Sequence, residues 1–373
     1  MESFDTIVKH TEANTLFPNL QKFSIESYYD PELMLDWAIG LLSSSLLEIR
    51  YKPLLASCPP LPLKMALFWL EYIALRCPNV QTLELHPYSP WVEWNEGVPH
   101  DVREADALIR GDFHKPLTRL THLRSLYVSA YLTGKDDMNA LSALPNLERL
   151  DICSGRQLDA MVTVSELPAD SFPSLRHLAL RNLQWEDLDN IYQTPALVQS
   201  LHSLYLVVGP QPEPEDPAEV RVIENWLPIH ELATTFRRLT SLTLVFEALD
   251  RGQIVELFEP ELDAISSLPL EYIQVRGATV EQDPFESTPC ELLASLWPTI
   301  TEIHFWDQSA TPADLIHFTT LPHLRQLTLN LRIRPISANL PIPINKQTMF
   351  RVLQCSKPQY YRLTMQERDH LAR

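Results

Sequence analysis

The side chains of this chain best equipped for catalysis or metal binding are twelve histidines, five cysteines and scattered carboxylates, and their spacing forms no reactive constellation. The segment His230-Glu231-Leu232-Ala233-Thr234 begins like a zinc-hydrolase helix but lacks the second histidine. No GxSxG, GxxxxGK or GxGxxG occurs, and eight glycines in 373 residues leave little material for a phosphate cradle. His177, His202, His304 and His323 lie inside or beside strand-like segments at non-equivalent positions, which suits structural or solvated roles. The pairs Asp136-Asp137 and Glu186-Asp187 with Asp189 read as solvated carboxylates at loops or helix starts. Cys58, Cys77, Cys153, Cys290 and Cys355 are odd in number, far apart and without a CxxC pair, as expected of free thiols rather than disulfides or a zinc site. The expectation is a chain with no enzymatic activity, no cofactor and no metal.

What the sequence spaces regularly is a strand template. A proline approach followed by L-x-x-L-x-L occurs as FPNLQKFSI at 17–25, CPNVQTLEL at 77–85, LPNLERLDI at 144–152, FPSLRHLAL at 172–180, WPTITEIHF at 297–305 and LPHLRQLTL at 321–329. Copies with the proline missing or shifted are SSSLLEIRY, LTHLRSLYV, VQSLHSLYL, RRLTSLTL and LPLEYIQV. The first apolar position of the eleven copies falls at 20, 46, 80, 123, 147, 175, 201, 239, 270, 300 and 324, so repeats run from 24 to 43 residues. The alternation closing each copy, as in Leu178 and Leu180, is that of a strand with one buried face.

Between the strands the sequence predicts helices. A capping residue followed by proline stands at Asp30-Pro31, Thr194-Pro195, Asp216-Pro217, Thr288-Pro289 and Thr311-Pro312. Glu219, Glu291 and Asp314 follow three of these caps three residues later, close to a capping box. The clearest helix is LPLKMALFWLEYIALRC, with Leu63, Leu67, Leu70 and Ala74 as its apolar stripe and Pro78 beyond its end. Strands joined by helical crossovers pair in parallel. The expected fold is therefore an α/β leucine-rich-repeat-like solenoid, a horseshoe of about eleven irregular repeats with a concave parallel sheet and helices on its convex side. The repeats occupy 17–330, with a lead-in or cap at 1–16 and a cap or tail at 331–373, in which RIRPISANLPIPINKQ reads as a Pro-rich extended stretch and TMFRVLQCSKPQYYRLTMQERDHLAR as a capping helix or frayed tail.

The net charge of −18 argues against nucleic acid and anionic membranes as partners and leaves basic protein segments as plausible ones. Arg149, Arg176, Arg181, Arg237 and Arg238 leave room for a local basic strip. The N-terminus has no secretory signal, no Asn-x-Ser/Thr occurs, and the most apolar stretch, 61–74, is too short to span a bilayer, so the expected location is intracellular, cytoplasmic or nuclear.

The template [FCLW]-P-[NSHT]-[LVI]-x-x-[LIF], the irregular repeat length and the acidic balance resemble the leucine-rich-repeat regions of fungal F-box proteins, over residues 17 to 330. That resemblance implies an arc that selects a substrate protein and an N-terminal F-box that docks the adaptor of a cullin-RING ubiquitin ligase. The sequence departs from the family at its start: the first repeat begins at Phe17 and no LP-x-E-[IL] opening appears. What carries over is the recognition arc, with a ligase substrate receptor lacking a recognisable F-box as the alternative.

Residues flanking the template's central position point to the concave face. They include Tyr127, Arg149, Asp151, His177, Arg181, Tyr205, Tyr272, Gln274, Arg276, His304, Trp306, Gln326 and Asn330. Tyrosine, tryptophan and arginine are the types enriched at binding hot spots, which makes this strip the candidate contact surface for a protein partner. The alternative is that these side chains only keep the face soluble. Two insertions, about 86–116 and 209–220, interrupt the period, and the first carries Trp91 and Trp94. These tryptophans serve either as partner anchors or as cover folded back onto the solenoid.

Overall fold

The computed structural model describes residues 17–27, 38–53, 63–85, 113–129, 134–153, 167–168, 170–183, 192, 194–208, 229–246, 255–280, 288–332 and 352–355. Trp91 and Trp94, most of the insertion at 86–116, the insertion at 209–220, the cluster at 186–189 and the Asp30-Pro31 and Asp216-Pro217 helix starts lie outside the described residues. The chain divides into two compact units, Met1–Leu239 and Thr240–Arg373.

The first unit contains seven strands: β1 (Lys22–Ser27), β2 (Glu48–Pro53), β3 (Thr82–Leu85), β4 (Ser125–Ser129), β5 (Arg149–Cys153), β6 (His177–Leu183) and β7 (Ser203–Val208). Each pairs in parallel with the next. Each begins two residues after the first apolar position of a template copy, because that residue closes a turn and the chain extends from it. The turn is visible where Val80 N donates to Cys77 O at 3.1 Å and Leu175 N to Phe172 O at 3.2 Å. Pro78 and Pro173 occupy its second position, where a fixed φ near −65° is favoured. Copies without the proline close the same turn, as Leu46 N to Ser43 O and Leu123 N to Leu120 O.

Two further ladders join each repeat to the one before. At the strand start one carbonyl accepts two amides: Gln21 O takes Leu47 N and Glu48 N, Leu47 O takes Gln81 N and Thr82 N, and Arg124 O takes Glu148 N and Arg149 N. The residue before the first apolar position adds a side-chain rung: Asn79 Nδ2 donates to Ser44 O, Asn146 Nδ2 to Thr121 O and Ser174 Oγ to Pro145 O. This accounts for the Asn and Ser in the template. These bonds satisfy backbone carbonyls of the strand-start turns and of the residues just before the strands.

The apolar residues of the template form the core. Leu83, Leu85, Leu126, Val128, Leu150, Ile152, Leu178, Leu180, Leu204 and Leu206 are buried, and each fully buried leucine stabilises by about 1.5–3 kcal/mol. Helices cover that side: α1 (Leu63–Arg76), α2 (His114–Leu117), α3 (Lys135–Ser142), α4 (Pro195–Val198) and α5 (Ile229–Thr235). Trp69 of α1 meets Tyr51 of β2 edge to face at 6.1 Å. The buried stripe of α1 is Ala66, Trp69, Leu70, Ile73, Ala74 and, just beyond it, Cys77, whereas Leu67 is only half-buried. Of the expected stripe, Leu70 and Ala74 are buried and Leu67 is not, Trp69 and Ile73 taking its place, while the side chain of Leu63 lies outside the described residues. This helix is apolar almost all round, with Phe68 and Leu75 39% and 69% exposed, so spacing alone does not select the inward face.

The second unit contains β8 (Ser241–Phe246), β10 (Tyr272–Arg276), β12 (Glu302–Ala310), β13 (Gln326–Leu331) and β14 (Val352–Cys355), paired in parallel in that order. Its helices are α6 (Glu259–Ser266), α7 (Pro289–Leu296) and a 3-10 segment, Asp314–Thr320. Thr288 caps α7, its Oγ1 accepting from Glu291 N at 3.2 Å. At Thr311-Pro312 the cap runs the other way: Thr311 N and Oγ1 donate to Asp314 Oδ2 at 2.7 and 2.8 Å, and the turns that follow are 3-10 rather than α. β14 is a strand in the stretch read as a capping helix or tail; Val352–Cys355 adds a twelfth rung to the eleven strands that the template marks.

A second, two-stranded parallel sheet, β9 (Val255–Leu257) with β11 (Ala278–Val280), has no counterpart in the template. The chain passes from β10 to β11 at Gly277, whose φ is +71°. A Cβ there would lie 2.0 Å from Phe246 O, so only glycine permits the approach. The register of β12 against β13 slips between Phe305 and Ser309, and the bulge supplies the partners of this junction. Asp307 Oδ2 accepts from Gly277 N at 2.6 Å and Gln308 Oε1 from Val280 N at 2.8 Å.

Candidate recognition surface

Because strand side chains alternate, the face opposite the helices carries one residue from between each pair of buried apolar residues. In the first unit that central row runs Ser24, Arg50, Glu84, Tyr127, Asp151, Ala179 and Tyr205, register partner to register partner. The row before it is Lys22, Glu48, Thr82, Ser125, Arg149, His177 and Ser203.

Parallel in-register pairing sets these side chains about 4.8 Å apart, within reach across strands. Over β1–β3 they form a chain of ion pairs: Lys22 Nζ to Glu48 at 3.0 Å, Arg50 Nε to Glu48 at 2.6 Å and Arg50 Nη1 to Glu84 at 3.7 Å. The Lys22 ammonium bonded to Glu48, aided by Arg50, holds that carboxyl below its ordinary range against the opposing effect of burial. Arg50 also lies 6.0 Å from the ring centre of Tyr127, whose hydroxyl accepts from Arg149 Nη1 at 3.4 Å.

The tightest arrangement spans β5 to β7. Asp151, 3% exposed, grips Arg181 through Nε at 2.9 Å and Nη2 at 2.7 Å. The same guanidinium stacks over Tyr205 at 4.8 Å. Burial works against the charge of Arg181, but the hydrogen bonds and charge of Asp151 outweigh it and hold its pKa above the ordinary value. Arg181 nevertheless keeps 43% of its side chain exposed. His177 is half-buried, and burial, Arg149 and His202 together lower its pKa, with Glu148 acting in the opposite sense.

The second unit repeats the device with different residues. Its central row is Thr243, Gln274, His304, Thr328 and Gln354. Arg276, exposed, stacks over Trp306 at 4.7 Å. Gln274 bridges its neighbours, its amide nitrogen donating to Tyr272 Oη at 2.5 Å while its oxygen accepts from Arg276 Nε at 2.8 Å. His304, 5% exposed, shares a 2.8 Å hydrogen bond with Thr328 Oγ1, and its Nε2 lies 3.6 Å from Glu302. Burial dominates its titration and, with Arg276, lowers its pKa against the raising effect of Glu302. Gln326 and Asn330 are half-buried on β13.

The candidate strip thus separates by depth. Asp151 and His304 lie beneath the face as anchors, Tyr127, His177, Arg181, Tyr205, Tyr272, Gln274, Trp306, Gln326 and Asn330 are half-buried, and Arg149 and Arg276 are exposed. Arg50, Glu84 and Thr328 belong to the same rows and were not among the expected residues. Their positions in SSSLLEIRY, CPNVQTLEL and LPHLRQLTL match that of Asp151, which is the signal that could have found them. Among the described residues no three histidines, cysteines or acids converge as a metal site, and no described helix is long and apolar enough to cross a membrane.

The in-register parallel strands, the repeated strand-start turn and the helices over the apolar side define a leucine-rich-repeat-like α/β fold. No protein-family model matches the chain, and no curated protein matches it in sequence. Among solved structures it is similar to an internalin from Listeria monocytogenes, with 11% identity, a TM-score of 0.31, and 80% of this chain and 77% of that one covered. It is also similar to TLR13 in a complex with single-stranded RNA, with 14% identity, a TM-score of 0.38, and 84% and 43% covered. A third is the leucine-rich-repeat ectodomain of the receptor kinase GASSHO1/SCHENGEN3 from Arabidopsis thaliana, with 13% identity, a TM-score of 0.25, and 83% and 38% covered. The chain therefore spans less than half the length of the latter two.

Proposed function

We propose that this chain is a recognition scaffold that binds a protein partner on the open face of its parallel strands. The observation that carries this reading is the arginine clamp. Arg181 is fixed by Asp151 below it and Tyr205 beside it, yet remains partly exposed. Arg276 is held in the same manner by Gln274 and Trp306. Ordering a long side chain at an interface costs about 0.5–1.5 kcal/mol, and here that cost falls on folding rather than on binding. Arginine, tyrosine and tryptophan held this way have the character of binding hot spots.

The test is affinity purification of the whole chain from cells, followed by mass spectrometry, beside the variants Tyr205→Ala and Trp306→Ala. A hot-spot truncation costs about 2 kcal/mol or more, a loss of about thirtyfold in affinity, so specific partners should disappear from at least one variant. Identical recovery by all three chains refutes the reading. Co-recovery of a cullin-RING adaptor would support the ligase-receptor role implied by the F-box resemblance, and partners without any ligase subunit would count against it.

A further inference from the structure

The open face of the first unit changes charge along the chain. Over β1–β3 the described cations Lys22 and Arg50 are tied to Glu48 and Glu84. Over β4–β7 the described side chains at the strand starts and on the face include four arginines, Arg124, Arg149, Arg176 and Arg181, against two carboxylates, Glu148 and Asp151. Both carboxylates are already engaged, Glu148 by Arg124 at 3.3 Å and Asp151 by Arg181 at 2.7 Å. Arg149 donates to the neutral Tyr127 hydroxyl and Arg176 Nη1 to the backbone oxygen of Leu175 at 2.8 Å. Neither has a carboxylate partner among the described residues. Arg149 and His202 add to burial in disfavouring the charged form of His177, with Glu148 acting in the opposite sense. Among the described residues of a chain of net charge −18, the strand starts and open face of β4–β7 thus carry two more arginines than carboxylates.

We propose that the β4–β7 part of this face, with the strand-start edge beside it, binds a short acidic segment of the partner, whose carboxylates are taken by Arg149 on the face and Arg176 at that edge. The inference rests on the recognition reading above and names the chemistry of the partner. Three strand spacings of about 4.8 Å make the patch about 15 Å wide, which an extended peptide crosses in four or five residues at about 3.3 Å each. Screening limits the reach of exposed charges to about 8 Å at physiological ionic strength, so a segment of this length feels the patch more than the rest of the chain. A nucleic acid continues past the patch onto the charge-balanced β1–β3 part of the face, where its further phosphates find cations already tied to Glu48 and Glu84. Planar guanidinium forks match carboxylates in paired hydrogen bonds.

The experiment is fluorescence anisotropy with the full chain and a labelled peptide of about five consecutive glutamates. Its comparators are the glutamine analogue, a phosphoserine analogue and a single-stranded oligothymidylate. The glutamate peptide should bind about tenfold or more tightly than the glutamine analogue, and weaken as salt rises from about 50 to about 300 mM. The double variant Arg149→Glu/Arg176→Glu should lose about tenfold or more, and Lys22→Glu, on the balanced part of the face, should lose nothing. Circular dichroism and thermal melting check the fold, and Arg149→Gln/Arg176→Gln serves if the charge reversal unfolds. No binding of the glutamate peptide, equal binding of the glutamine analogue, or an unaltered affinity in the folded double variant overturns the proposal. So does tighter binding of the phosphopeptide or the oligonucleotide. If the double variant recovers the same cellular partners while Tyr205→Ala or Trp306→Ala loses them, the acidic-segment inference fails and the recognition reading stands; if every variant recovers the same partners, the recognition reading itself fails.

Discussion

Replacing Gly277 with alanine tests the junction between the two sheets of the second unit. The new Cβ would stand 2.0 Å from Phe246 O, and contacts under 3.0 Å essentially do not occur, so one backbone must retreat by about 1 Å. Alanine at φ +71° also carries an intrinsic penalty of about 1–2 kcal/mol. The retreat pulls on two hydrogen bonds anchored at Gly277. Its N–H bond to the Asp307 carboxylate, 2.6 Å, is of the charge-assisted kind worth about 1.5–3 kcal/mol, and its carbonyl bond from Val255 N, 3.0 Å, about 0.5–1.5 kcal/mol. Losing both along with the conformational penalty destabilises by about 3–6 kcal/mol, in the range reserved for named structural defects. Urea unfolding followed by tryptophan fluorescence measures it, since Trp297 and Trp306 lie in the same unit. Gly40→Ala is the control, because nothing lies within 4 Å of a Cβ there, and it should be neutral or slightly stabilising. A loss under about 1 kcal/mol for Gly277→Ala would refute the reasoning about the close approach.

The Asp151–Arg181 clamp should show a coupling of about 1–2 kcal/mol in a double-mutant cycle with Asp151→Ala and Arg181→Ala, the lower end of charge-assisted bonds because Arg181 is partly exposed and screened; additive losses would mean that the pair is not a clamp. Burial lowers the folded pKa of His304 below its ordinary 6.5, so the unfolded chain binds more protons near that pH and stability must fall as pH drops through 6.5 and below. His177 acts in the same sense. Denaturation midpoints between about pH 7.5 and 5.5 should therefore decline less steeply in His304→Gln, and an unaltered slope would sink the assignment. Burial pushes the thiols of Cys77 and Cys290 up to about 12 from 9.0, about a thousandfold less thiolate at pH 8, so alkylation followed by peptide mapping should leave both unmodified until the chain is denatured.

The strands were legible because the template records a geometry that recurs. A turn closing on Val80, Leu147 or Leu175 must be followed by alternation, and the burial of those residues and of Leu83, Leu150 and Leu178 is what that alternation encodes. The inward side of α1 was legible only at Leu70 and Ala74, since Leu67, Phe68 and Leu75 offer further apolar faces and tertiary packing around Trp69 chose among them. β9 and β11 were not legible, since three residues each are too few to show a period; the one hint was a glycine at 277 in a chain that spends few. On the open face the sequence identified which residues share a side but not their depth. Asp151 and Arg181 look alike as polar members of one strip, and only the register of β5 on β6 reveals that one anchors the other.

At the start of β2 and of β3, two successive amides share a carbonyl of the repeat before, so the position of each strand is inherited from its predecessor and not from the length of chain that connects them. Spacings of 26 and 34 residues to these strands produce the same alignment of Ser24, Arg50 and Glu84. The face behaves as a grid with an address for each side chain, in which connecting segments can lengthen without renumbering any address and one square can change its chemistry while its neighbours keep theirs.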